Sequence, residues 1–259
     1  MSRVCLVTGG SRGIGRCVAQ QLAAKGATVV VNYTRNEQAA TEALRLLDTQ
    51  GGQLTHAIMQ ADISNPDECK RLVDDVVKTY GRLDVLVNNA GVCTDHDVLT
   101  VSYADWQRTV RETMDTNFTG AANLSFLAVR QFAAQDAADG TTRGGRVVNV
   151  TSRAAYRGEL TAAAYAASKA ALNIFGQSLA RRLAGHAIYV YTVAPGWVAT
   201  EMAQAVVNGP QAAEVLAQHP LGRIALPEEV GQEVVHLALD APAAMTGCII
   251  DINGASYLR

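Results

Sequence analysis

Short apolar runs rich in β-branched residues alternate along this chain with longer stretches of helical periodicity. The runs fall at residues 4–8, 28–31, 55–59, 84–88, 146–150, 188–193 and 248–251. Most are apolar on both faces, the pattern of strands buried within a parallel sheet. Between them, helices are expected at 13–25, 37–47, 66–80, 104–134, 162–183, 199–217 and 228–239. Gly26 and Gly81 stand where two of these should stop, and Pro66 where one should begin. Strand and helix in strict alternation predict an α/β fold. The expectation is a single Rossmann-like, doubly wound domain over residues 1–259, with a seven-stranded parallel sheet flanked by helices on both faces. No repeat or linker interrupts it. Residues 133–145 are small and polar enough to be a frayed helix end and an exposed loop. Pro195, Gly196 and Pro210 break the C-terminal third, where a lid is expected at about 197–220.

With 49% hydrophobic and 18% charged residues in a chain of 259, a sizeable core is affordable and disorder is not expected. A net charge of −2 lacks the basic footprint of a nucleic-acid binder. The apolar runs are too short to span a bilayer. Residues 1–7 enter a strand directly, without the apolar stretch of a signal peptide, so cytoplasmic residence is the expectation. Cysteines 5, 17, 69, 93 and 248 show no CxxC spacing, and histidines 56, 96, 186, 219 and 236 are dispersed. Neither a metal site nor a disulfide framework is indicated.

Directly after the first strand comes Thr8-Gly-Gly-Ser-Arg-Gly-Ile-Gly15, which opens a helix. Gly9, Gly13 and Gly15 would let the backbone turn tightly and approach a pyrophosphate, with Ser11, Arg12 and Ile14 lining the same turn. A plain β–α turn would look similar, but its place between strand and helix favours the phosphate cradle. The second strand ends at the neutral Asn32, where NAD-selective folds usually carry a carboxylate. With Arg12 and Arg35 nearby, NADP is favoured over NAD. Asp62 and Ile63 at the third strand's end would suit an adenine ring, and Asn88-Asn-Ala-Gly91 would pass close to the cofactor through Asn89, Ala90 and Gly91.

Tyr165 and Lys169 lie one turn apart on an alanine-rich helix, thirteen residues beyond Ser152. At a separation of roughly 5 Å and an effective dielectric of about 20, the ammonium would favour phenolate by about 3 kcal/mol. That corresponds to on the order of two pKa units in favour of phenolate, before burial of the anion takes some of it back. A core tyrosine beside a solvated lysine would give the same spacing.

Taken in this order, the glycine loop, Asn88-Asn-Ala-Gly91, Ser152 and Tyr165-Ala-Ala-Ser-Lys169 resemble the short-chain dehydrogenase/reductase family over essentially the whole chain. The resemblance implies hydride transfer between a nicotinamide and a carbonyl or carbinol carbon. In it Tyr165 is the general acid, Ser152 the polariser of the carbonyl oxygen, and Lys169 the group that lowers the Tyr165 pKa and binds the nicotinamide ribose. Asn117 would complete the tetrad, interrupting its helix and holding a water for proton resupply. Pro195, Gly196, Val198 and Thr200 resemble the segment that contacts the nicotinamide carboxamide.

Within the family the chain is most similar to 3-oxoacyl-ACP reductases, through His219-Pro-Leu-Gly-Arg223, Pro227-Glu-Glu-Val230 and Thr246 to Gly254. That implies an acyl-carrier-linked carbonyl substrate, with Arg181, and Arg143 as a second positive charge, facing an acidic carrier protein. The alternatives are an alcohol, sugar or steroid dehydrogenase of the same family, and a non-catalytic NADP-binding protein. Residues 255–259 would join a homotetramer interface. Two departures stand out: Asn253-Gly254-Ala255 replaces the family's Asn-Gly-Gly, and residues 153–159 bring charge near the substrate entrance.

Overall fold

The computed structural model describes residues 2–47, 55–140, 144–203, 209–210 and 212–259. Its strands are β1 (Val4–Val7), β2 (Thr28–Tyr33), β3 (Ala57–Gln60), β4 (Val85–Asn88), β5 (Gly145–Val150), β6 (Ile188–Pro195) and β7 (Ile249–Ile252). They form one seven-stranded sheet in the order β3-β2-β1-β4-β5-β6-β7, with every pair parallel. The chain reverses direction across the sheet between β1 and β4, and the crevice at their carboxyl ends is where such folds bind ligands.

The helices described are α1 (Gly13–Ala24), α2 (Glu37–Arg45), α3 (Pro66–Tyr80), α4 (Tyr103–Met114), α5 (Ala121–Asp139), α6 (Ala154–Arg157), α7 (Ala163–Leu183), α8 (Ala212–Ala217) and α9 (Pro227–Leu239). Alternate strand residues feed two cores, because side chains along a strand point to opposite faces. Val7, Val31, Val87, Val148 and Val193 pack with Val18 and Leu22 of α1 and Val230 and Val234 of α9. Leu6, Val30, Leu86, Val147 and Val190 pack with Leu72 of α3, Leu124 and Phe132 of α5 and Ala180 of α7. Asp84 ties the rear of the sheet, accepting from the Val4 amide at 2.8 Å and pairing with Arg82.

Local signals account for most boundaries. Asn65 accepts from the Asp67 and Glu68 amides and Pro66 follows, so α3 starts there; Gly81, at φ 75°, ends it. The stretch expected as one helix over 104–134 is instead α4, a π-helical segment (Asp115–Gly120) and α5. In the region expected to be helical at 199–217, α8 is the named helix, while residues 204–208 and 211 lie outside the described residues, as does Arg143. Among the described residues no helix is long and apolar enough to cross a membrane, and no group of three or more His, Cys, Asp or Glu side chains is placed to hold a metal.

Candidate active site

The glycine loop is stitched to the strands on either side of it. Thr8 Oγ1 accepts from the Asn89 and Ala90 amides at 3.0 Å each, and Asn89 Nδ2 donates to the Thr8 and Gly9 carbonyls at 2.8 and 3.2 Å. The Gly10 amide donates to the Asn32 carbonyl at 3.0 Å. A Cβ on Gly15 would run into the Gly9 carbonyl and the Asn89 amide, so only glycine allows the loop to lie this close to β4. Beyond it, α1 begins with no side-chain cap and no acidic residue in its first turn. First-turn N–H groups have no partner within their own helix, and together with the positive dipole end they suit an anionic pyrophosphate.

Two residues expected at the cofactor, Asn32 and Asp62, are engaged by neighbouring groups. Asn32 is buried, and its amide nitrogen donates to the Met59 and Ala61 carbonyls at 3.3 and 3.1 Å while its oxygen accepts from Gly9 at 3.4 Å. It shapes the loop from behind instead of offering its side chain to a ribose. Arg12 is exposed but paired with Glu201 at 3.4 Å, whereas Arg35 is exposed just beyond β2. Asp62 is engaged locally, accepting from the Ser64 amide and hydroxyl at 3.0 and 2.7 Å, and Ile63 is buried.

The four expected catalytic residues converge at the carboxyl ends of β4 and β5. Ser152 follows β5; its hydroxyl accepts from the Ala154 amide at 3.0 Å and hydrogen-bonds the Tyr165 phenol. Lys169 is buried, donates to the Val150 carbonyl at 3.0 Å and lies 5.7 Å from the centroid of the Tyr165 ring. A Cβ on Gly91 would sit 3.2 Å from that ammonium and 3.3 Å from Asn117 Oδ1, so the bare backbone leaves them room. Asn117, in the π segment, clasps Val92 through both N–H and carbonyl at 2.8 and 2.9 Å and donates to Ser168 Oγ at 3.1 Å.

The electrostatics reverse the expected lowering of the Tyr165 pKa. Burial pushes the phenol up to about 12, against which the Ser152 hydrogen bond acts. Burial likewise pulls Lys169 down from 10.5 to about 8, so its charge is weakened at the point where it should assist the phenol. Desolvation is the largest cause of both shifts, and for Tyr165 it takes back more than the expected Coulombic gain.

Gly196 donates to the Ile252 carbonyl at 2.9 Å, and Val198 bridges to Ala225. Thr200 lies against Gly13, its methyl 3.3 Å from where a Cβ on Gly13 would stand, so the segment after β6 touches the glycine loop. Two of the charges of the 153–159 segment are engaged by neighbouring side chains. Buried Arg153 donates to Ser256 Oγ at 2.7 Å and exposed Arg157 to Gln218 at 3.0 Å. Glu159 is the exception, close enough to Tyr165 and Cys93 to raise both pKa values. Sequence reasoning met Glu159 only as part of a charged segment near the substrate entrance and passed over Cys93, since neither belongs to a spaced motif.

A family model described as short chain dehydrogenase matches residues 3–211. The chain belongs to this family. Other short-chain dehydrogenases resemble it over nearly their whole length. A 3-oxoacyl-[acyl-carrier-protein] reductase of Synechocystis sp. is 36% identical, covering 99% of this chain and 98% of the relative. The corresponding reductase of Staphylococcus aureus strain Mu50 is 34% identical, covering 100% and 99%. Among solved structures, a short chain dehydrogenase from Burkholderia cenocepacia J2315 in complex with NADP superimposes with a TM-score of 0.86. It shares 30% identity and covers 98% of this chain and 97% of its own.

Proposed function

We propose that this dehydrogenase is an NADPH-dependent reductase of 3-oxoacyl thioesters. The observation that carries the reading is the convergence of Ser152, Tyr165, Lys169 and Asn117 beside an uncapped helix N-terminus at the β1/β4 crevice. The activities of its relatives supply the substrate class. The glycine loop and α1 would hold the pyrophosphate, with Arg12 and Arg35 the cations for a 2′-phosphate and Pro195, Gly196, Val198 and Thr200 flanking the nicotinamide. When bound, NADPH supplies the hydride.

The protein's own groups do the rest. Ser152 donates a hydrogen bond to the carbonyl oxygen and stabilises the charge that develops there. Tyr165 delivers its proton to that same oxygen, so the carbonyl gains one hydride at carbon and one proton at oxygen. A phenol near 12 is protonated throughout the neutral range, which suits reduction. Lys169 binds the nicotinamide ribose and favours the phenolate left behind. The Asn117 side chain is committed to Val92 and Ser168, so its share in proton resupply passes through its main chain.

Arg181, exposed beside Arg182 in the last turn of α7, is the cation assigned to an acidic carrier protein. Phe126 and Ile174, 64% and 65% exposed on α5 and α7, are assigned to subunit contacts of a homotetramer, with the protein resident in the cytoplasm. The decisive measurement follows NADPH absorbance with acetoacetyl-CoA, beside a panel of diketones, sugars and steroids. Turnover of the thioester with kcat/KM higher for NADPH than NADH is the expected result. Activity confined to free alcohols or ketones would move the protein to another branch of the family, and silence on every carbonyl would reject the enzyme.

A further inference from the structure

His96 is buried, and both of its ring nitrogens face main-chain groups. Nδ1 lies 2.9 Å from the Thr94 carbonyl oxygen and Nε2 3.3 Å from the Ala164 amide nitrogen. A carbonyl only accepts and an amide N–H only donates, so Nδ1 carries the proton and Nε2 offers its lone pair. The ring in this arrangement is neutral and in one tautomer. Trp106 of α4 holds it edge-on, with ring centroids 5.1 Å apart and planes at 70°.

Ala164 belongs to the first turn of α7, whose N-cap residue Ala162 supplies no side-chain cap. First-turn N–H groups have no partner within their own helix. Here one of them is met by a residue 68 positions upstream. The same loop is fastened twice more: the His96 amide donates to the Thr161 carbonyl at 2.6 Å, and Thr161 Oγ1 donates to Asp95 at 3.0 Å. On the other side of Tyr165, Ser168 Oγ donates to the Tyr165 carbonyl at 2.7 Å and accepts from Asn117, which grips Val92. The start of α7 is therefore held from two directions by one segment, residues 92–96.

We propose that His96 is a positioning residue for Tyr165: its imidazole caps α7 at Ala164 and fixes where the phenol next to it is aimed. The proposal rests on Tyr165 as general acid. A displacement of about 1 Å at a reacting group can lower turnover on the order of 100-fold, so an imidazole remote from the hydride path can govern rate.

Three substitutions separate this from a merely structural role. His96→Leu keeps an apolar contact for Trp106 and removes both nitrogens. His96→Gln places an amide oxygen near the position of Nε2, and His96→Asn reaches only as far as Nδ1. The Leu and Asn variants are expected to lose kcat by about 10- to 100-fold with KM for NADPH within about twofold, and Gln to recover most of it. Hydrogen exchange at the Ala164 amide should quicken at least about tenfold in Leu and Asn but not in Gln. Wild-type kcat in the Leu variant, a Gln variant as slow as Asn, or unchanged Ala164 exchange in Asn would each overturn the proposal. Exchange needs no substrate, so it decides the cap even if wild type fails to turn over the thioester, an outcome that would count against the proposed function alone.

Discussion

Around the glycine loop, the side chains of Thr8, Asn32 and Asn89 all find main-chain partners, and the packing is tight enough to exclude a Cβ at Gly15. Around β5, by contrast, Lys169 and Tyr165 sit where burial disfavours the charge of each. The cradle is held in shape by the interactions that also stabilise the fold. The catalytic pair is held against a desolvation penalty that the rest of the fold offsets. Function and stability should therefore fall together at the first place and part company at the second.

The largest expected effect is at the catalytic pair. Tyr165→Phe should lower kcat by about 10²- to 10⁴-fold while NADPH affinity, measured by fluorescence titration, stays nearly unchanged. Near-wild-type turnover would remove Tyr165 from its role. At the cradle, Gly15→Ala should destabilise by about 1–3 kcal/mol in urea unfolding and weaken NADPH in parallel, because the new methyl must push Gly9 or Asn89 aside. A variant that loses only one of the two would break the link between packing and binding.

Lys169→Met tests the other side. It should abolish most turnover yet raise stability at pH 7 by on the order of 1–3 kcal/mol, since a buried ammonium is replaced by an apolar chain of similar length. The sign follows from proton binding. With Lys169 lowered to about 8 from 10.5, the unfolded chain binds more protons between those values, so its penalty fades as pH rises through that window. Tyr165, raised from 10 to about 12, acts oppositely above pH 10, and the raised Cys17 and Cys69 do so from 9. These groups are common to both proteins, so the advantage of Lys169→Met over wild type should shrink from pH 8 to 10.5. A constant difference would mean that Lys169 is not disfavoured by burial. Smallest is Ala255→Gly. Ala255 holds a φ of 60°, where an L side chain is strained, and glycine there should add about 1 kcal/mol.

All seven strands were legible, the five central ones because burial on both faces leaves unbroken apolar runs, and observed bounds differ from expectation by one or two residues at most ends. The departure at Ala255, where the family carries glycine, was also legible, and it falls on a residue with a positive φ. Less legible was anything that depends on backbone partners. α6 spans four residues, too few for a periodicity to show. The inward turn of Asn32 depends on carbonyls of β3 and the residue after it, and the cap made by His96 depends on an amide in another loop. Main-chain groups occur at every residue, so no side-chain pattern marks those that are needed. The direction of the Tyr165 shift was missed for a different reason: spacing along a helix reports distance and says nothing of solvent.

The wide turn that carries Asn117 also sets a phase. Each α-helical residue advances about 100° around the axis, and a π turn takes in one residue more, so everything after it lags by about that angle. The buried positions of α4 are Thr109 and Thr113; those of α5 include Leu124, Ala128 and Phe132. Wound as one continuous α-helix, the two rows would lie about 80° apart, and the lag brings them to within about 20°. The irregularity thus lets two helical halves, out of step in sequence, present one common face inward. Deleting a residue within 115–120 would do more than displace Asn117; it would rotate one of the two faces toward water.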